Sequence, residues 1–284
     1  MTEIFQPFAP DPLEPRRRRF KPVPFRVIAP NLITLLSLCL GLTAIRLAFE
    51  NRLEPAVIAI VAAAILDGVD GRVARLLKGT SRFGAELDSL ADFLNFGAAP
   101  ALLLYSFVLH EARAVGWVVA MVFAIAMALR LARFNAMLDA PDRPEWTKDF
   151  FVGIPAPAGA GTSLLPAYLH FLGVPIGPAA APFVAAYVLG IALLIVSTVP
   201  TFSGKTMGKR IPRDWVLPIF VVTVAAFGLV VSFPFEALAL FAVLYLAAIP
   251  IGVRQYRALK RAWDESAARP APATPDEPAA APSA

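Results

Sequence analysis

The chain has 284 residues, 58% of them hydrophobic and 17% charged, with a mean hydropathy of +0.66. Such a composition excludes an ordinary soluble domain and makes a lipid bilayer the natural solvent. The net charge of +5 does not signal nucleic acid, because the basic residues flank apolar stretches, where anionic membrane lipid is the expected partner.

Taken in chain order, residues 1–25 mix Pro and acidic residues with the run Arg16-Arg17-Arg18-Arg19 and read as a mobile cytoplasmic tail. The opening Met1-Thr2-Glu3-Ile4 lacks the pattern of a secretory signal peptide, so the first span is expected to direct insertion. Apolar runs long enough for about 30 Å of hydrocarbon predict about eight helices. They fall near residues 30–49, 54–77, 83–109, 114–138, 154–173, 178–199, 214–232 and 235–253. The expected fold is therefore all-α: a polytopic transmembrane bundle over residues 26–263, followed by a disordered Ala/Pro-rich tail at 264–284.

Lys and Arg set the orientation. With eight spans, the basic stretches at 16–19, 72–82, 130–148, 205–213 and 254–261 share one side, while 173–177 and 232–235 carry neither residue and the exceptions, Arg52 and the pair His110 and Arg113, stand isolated among acids. Both termini are thus expected in the cytoplasm and the protein in the inner (cytoplasmic) membrane. The basic loop with Lys205, Lys209, Arg210 and Arg213 is accounted for by topology alone. Trp117, Trp146, Trp215 and Trp263 suit membrane interfaces, and the isolated His110 and His170 take no catalytic role. Cys39 is the single cysteine, which excludes a disulfide within the chain and reads as a small core residue.

Chemistry concentrates at the second and third helices. Asp67, Asp70, Gly71, Ala74 and Arg75 share one face of the second, and Gly84, Asp88 and Asp92 one face of the third. Residues 76–83 between them contain Lys78, Gly79, Thr80 and Ser81 and read as a tight turn, so the two acidic faces can meet. Four carboxylates converging near a membrane surface repel one another unless a cation offsets them. All-oxygen ligation suits Mg²⁺, Mn²⁺ or Ca²⁺ rather than zinc. The bland alternative pairs these acids with Arg72, Arg75, Lys78 and Arg82 as surface ion pairs of little consequence.

This constellation, D-x2-D-G-x2-A-R-x8-G-x3-D-x3-D, resembles that of the CDP-alcohol phosphatidyltransferases, and all eight positions match. The resemblance implies that Asp67, Asp70, Asp88 and Asp92 bind a divalent metal, Mn²⁺ or Mg²⁺. It further implies that Asp92 doubles as general base and that Gly71, Ala74, Arg75 and Gly84 contact the CDP group of CDP-diacylglycerol. It also implies a homodimer. Further stretches are similar to the serine-accepting bacterial members of that family: residues 30–34, 79–84, 90–93, 130–135 and 151–158. L-serine is thereby the expected acceptor, with phosphatidylserine and CMP as products.

Around that core the alternatives stay open. Arg130 and Arg133 could bind the serine carboxylate bidentately with help from Asn135, or snorkel to lipid phosphate. Asn31 and Thr34 could read the cytidine or cap the first helix. Within the family, glycerol 3-phosphate or an inositol phosphate could replace serine, and outside it intramembrane acids could serve a cation transporter.

Overall fold

Apolar runs broken by short polar turns give long helices, and in this chain they pack as antiparallel neighbours. The computed structural model describes residues 25–79, 81–138, 150–202 and 216–267. The Arg16–Arg19 run, Thr80, the loop with Lys205, and nearly all of the Ala/Pro tail lie outside the described residues. Helix α1 spans Phe25–Phe49 and α2 spans Leu53–Leu76, joined by a tight turn in which Asn51 adopts φ 58°. The two lie close along lengths that carry small side chains: Ala44 and Ala48 on α1, with Ala56, Ala59 and Ala63 on α2, are all buried. In a membrane, where lipid is as apolar as any side chain, such close backbone approach is what holds helices together.

The turn after α2 closes with Lys78 at φ 48° and a bond from Gly79 N–H to Ala74 O (3.0 Å). Ser81 then caps α3 (Arg82–Asp92), its Oγ accepting from Gly84 N–H at 3.0 Å. A π-helical turn, Phe93–Ala98, follows directly and leads into α4 (Ala99–Phe107) without a break. Ala99 N–H reaches back five residues to Leu94 O, and Pro100 beside it has no N–H to restore the α-ladder. A 3₁₀ turn, Leu109–Ala112, precedes α5 (Arg113–Leu138).

Beyond α5 the expected span at 154–173 divides into α6 (Ala156–Ser163) and α7 (Leu165–Phe171), interrupted at Leu164 just ahead of the N–H-deficient Pro166. Helix α8, Ala181–Val196, packs on α5. Strands β1 (Phe150–Val152) and β2 (Pro200–Phe202) form one antiparallel ladder, pairing Phe150 with Phe202 and Val152 with Pro200. This ladder brings the segment entering α6 beside the segment leaving α8. Helix α9, Val216–Ser232, packs against α10, and α10 (Pro234–Ala267) crosses α6, α7 and β2. Helix α10 continues past Trp263, where the sequence placed the start of the tail.

Among the described residues, five segments are long and apolar enough to cross a bilayer: Ile28–Phe49, Arg82–Phe107, Leu109–Met137, Pro178–Val196 and Pro234–Leu259. The chain is an integral membrane protein. Helix α2 has comparable length, but its second half is loaded with Asp67, Asp70, Arg72 and Arg75. The core is centred on Ile60, Phe96, Leu103, Phe123, Met127, Tyr168 and Ile195, each at most 3% exposed. Leu36, Ile58, Leu129, Phe183 and Leu193 stand outward, as a lipid-facing belt requires.

Candidate active site

The Leu77–Ser81 turn returns the chain so that α3 lies beside α2 and α1, and the acidic faces meet as their spacing predicts. Carboxylate oxygens of Asp67, Asp70 and Asp88 all lie within 4.8 Å of one another. The Asp92 carboxyl lies beside that of Asp67, and its Oδ1 is buried with no hydrogen-bond partner among the described residues. Asp70 is 3% exposed and accepts from Thr34 Oγ1 at 2.7 Å. Crowding of this kind, with an orphaned buried oxygen, fits a divalent cation held by hard oxygen ligands. Among the described residues the ion pairs involve Glu50 and Glu111; none joins the four aspartates to Arg72, Arg75, Lys78 or Arg82. The surface ion-pair reading of these acids therefore has no support in the structure.

A cleft opens from the acids toward the Leu77–Ser81 turn, lined by Asn31, Thr34, Gly71, Ala74, Arg75 and Gly84, together with Asp70 and Asp88. All six residues expected to contact CDP thus share one wall-to-wall site. The glycines keep it open. A Cβ on Gly84 would stand 2.8 Å from Asn31 Oδ1 and 3.1 Å from Ser81 Oγ, whereas one on Gly71 would meet only Arg75 Nη1, at an ordinary 3.7 Å. The helix-cap alternative for Asn31 and Thr34 is overturned, because α1 begins at Phe25 and both residues sit inside it. Thr34 instead orients Asp70.

The acceptor residues are placed less tightly together. Half-buried Arg130 donates from Nε to Ile154 O (2.9 Å), just ahead of α6, and its charge faces Asp92. Asn135 Nδ2 donates to Ser89 Oγ at 2.9 Å, tying α5 to α3 beside Asp88. Arg133 is half-buried on the same helix. None of the three lines the cleft. Sequence reasoning missed Ser81, whose position just ahead of the α3 pattern is an ordinary N-cap signal, and the Ile154 carbonyl, which no side-chain pattern could show.

Farther along α2, toward its N-terminal half, lies a second, apolar cavity of about 340 Å³ between α2, α6, α7 and α10. Ala64, one turn from Asp67, lines it together with Phe96, Tyr168 and Phe241.

Clustered carboxylates beside an open cleft in a helical membrane protein are the elements of a metal-dependent membrane enzyme, and sequence comparison specifies which. The family model for CDP-alcohol phosphatidyltransferase matches residues 27–199, and a second, CDP-alcohol phosphatidyltransferase 2, matches residues 214–250. The chain belongs to the CDP-alcohol phosphatidyltransferase family. Among curated relatives, a protein of Mycobacterium leprae is 41% identical over 247 residues, covering 84% of this chain and 79% of the relative. One from Mycobacterium tuberculosis is 40% identical over 244 residues (84% and 83%), and one from Helicobacter pylori 39% over 223 residues (76% and 87%). All three are named CDP-diacylglycerol-serine O-phosphatidyltransferase. Family membership also removes the ground for a cation transporter.

Proposed function

We propose that this enzyme transfers the phosphatidyl group of CDP-diacylglycerol to L-serine, giving phosphatidylserine and CMP. The observation that carries the chemistry is the meeting of Asp67, Asp70 and Asp88 oxygens within 4.8 Å, with Asp70 and Asp88 lining the cleft. The choice of serine is supported by the shared name of relatives that match over most of their length.

Asp67, Asp70 and Asp88, with Asp92 completing the set, would hold Mn²⁺ or Mg²⁺, which when bound offsets charge on the pyrophosphate and on departing CMP. Thr34 fixes the Asp70 carboxylate so that its lone pairs point into the cluster. Asn31 and Arg75 face the nucleotide and its phosphates, and Gly71, Ala74 and Gly84 keep the walls low enough for it to enter. The serine hydroxyl oxygen attacks the phosphatidyl phosphorus, the bond from that phosphorus to the CMP oxygen breaks, and Asp92 takes the hydroxyl proton. Arg130 and Arg133, with Asn135, serve the serine carboxylate from the α5 side, although Arg130 already spends one donor on Ile154. The apolar cavity below Asp67 suits an acyl chain, being within the roughly 300–1,000 Å³ typical of ligand pockets. Apolar run lengths support eight crossings, and with that count the distribution of Lys and Arg supports a cleft and both termini facing the cytoplasm across the inner membrane. A homodimer is the expected assembly.

Purified protein given CDP-diacylglycerol, Mn²⁺ or Mg²⁺, and separately serine, glycerol 3-phosphate or inositol phosphate tests this reading. CMP and phosphatidylserine form with serine. CMP release with another acceptor and none with serine would reassign the substrate while leaving the chemistry intact.

A further inference from the structure

A chain of buried hydrogen bonds joins the two acidic helices through α1, one turn below the carboxylates. Asn95, fully buried in the π-helical turn that starts right after Asp92, donates from Nδ2 to Ser37 Oγ at 2.8 Å. Ser37 Oγ, 1% exposed, donates in turn to Ala63 O at 2.9 Å. The direction is fixed: the single hydroxyl proton goes to the carbonyl, so Ser37 can only accept from Asn95. In α-helical register Ala63 O is also the acceptor for the Asp67 N–H. The amide thus sits three residues after Asp92, and the chain it starts ends on the turn that presents Asp67.

Packing alone does not call for this arrangement. An apolar side chain of similar volume would fill position 95 without desolvating an amide, and Asn95 Oδ1 is left with no partner among the described residues. Space is nonetheless kept for it, since a Cβ on Gly41 would overlap that oxygen. The π-helical turn adds to the argument. It inserts an extra residue into the helix between Asp92 and Pro100, so nothing in an ideal α-ladder sets the rotation of Asp92 relative to α2. We infer that Asn95 and Ser37 are positioning residues, holding the Asp92 turn of α3 at a fixed distance and rotation from the Asp67 turn of α2. The inference rests on the proposed role of these aspartates as a metal site.

The test uses the full-length protein in detergent or nanodiscs, with Mn²⁺ binding followed by electron paramagnetic resonance and CMP release measured on the same preparations. Ser37→Ala and Asn95→Leu each weaken Mn²⁺ binding at least about fivefold and lower kcat more than they raise KM for CDP-diacylglycerol. The double variant is no worse than the more damaging single one, because both act through one chain. Ser106→Ala removes a comparable tether, Ser106 Oγ to Ala48 O at 2.6 Å, at the other end of α4, and leaves Mn²⁺ binding and kcat within twofold of the parent. Parent-like Mn²⁺ binding in both single variants would overturn the inference, even if their melting temperatures fell, as would effects that multiply in the double variant or a parent with no saturable Mn²⁺ binding. A parent that binds Mn²⁺ but releases no CMP would sink the functional reading and leave the tether to be decided by binding alone.

Discussion

At the scale of single residues, the four aspartates divide by what each touches. Asp70 is fixed by Thr34, Asp67 and Asp88 complete the oxygen cluster, and Asp92 joins through Asp67 with one oxygen unmatched. Asp67→Asn, Asp70→Asn or Asp88→Asn removes ligand charge, and turnover should fall on the order of a hundredfold or more, partly restored by excess Mn²⁺. Near-normal rates at low Mn²⁺ in any of them would refute the shared site. Thr34→Val keeps the shape of the side chain but deletes the donor to Asp70. Loss of a hydrogen bond to a charged group predicts about a tenfold drop in kcat with expression unchanged. Asp92→Asn separates binding from chemistry: nucleotide and Mn²⁺ affinity stay closer to the parent than in Asp67→Asn, while single-turnover CMP release with serine falls by roughly a hundredfold to ten-thousandfold. If Asp92→Asn lost nucleotide binding as fully as Asp67→Asn, Asp92 would be a metal ligand only.

At the scale of elements, the site depends on how closely three helices approach. The aspartates were legible in the sequence because charge inside an apolar run is conspicuous and its 3- and 4-residue spacing fixes a common face. The start of α1 was not, since Pro30 resembles a boundary and yet sits inside the helix. Nor was the π turn at Phe93–Ala98, which no periodicity announces, nor the break at Leu164, where hydropathy runs on while Pro166 interrupts the ladder. The role of Thr34 depends on a partner 36 residues away, and such pairings are set by tertiary packing rather than local pattern. Gly84 gives the element-scale prediction. In Gly84→Ala the new Cβ meets Asn31 Oδ1 at 2.8 Å and Ser81 Oγ at 3.1 Å, so either the asparagine rotates away from the cleft or α3 backs off. KM for CDP-diacylglycerol should rise several-fold with a smaller change in kcat; an unchanged KM would show that Asn31 does not face the nucleotide.

At the scale of the whole molecule, orientation decides whether the site can meet its substrates. The α1–α2 hairpin closes at Asn51, and Ser106 near the end of α4 bonds back to Ala48, so these two points mark one end of the bundle. The Leu77–Ser81 turn and the mouth of the cleft lie at the other end. The β1–β2 ladder brings the entry to α6 level with the exit from α8, which is what results if α6 and α7 together make a single crossing. The turn after α7 then belongs with Asn51, opposite the cleft. Lys and Arg favour the cytoplasm by an energetic bias at insertion, and Arg72, Arg75, Lys78 and Arg82 cluster about the turn at the cleft mouth. Exposed Lys78 and exposed Val174 are therefore expected on opposite faces of the membrane. In a Cys39→Ser background, a cysteine placed by Lys78→Cys should react with a membrane-impermeant maleimide only after cells are opened, and one placed by Val174→Cys should react in intact cells. Labelling of both from the same side would break the pairing of α6 with α7 as one span. Labelling of Lys78→Cys from outside would put the cleft on the face where cytoplasmic serine and a cytidine nucleotide cannot reach it, and the catalytic reading would fall with the topology.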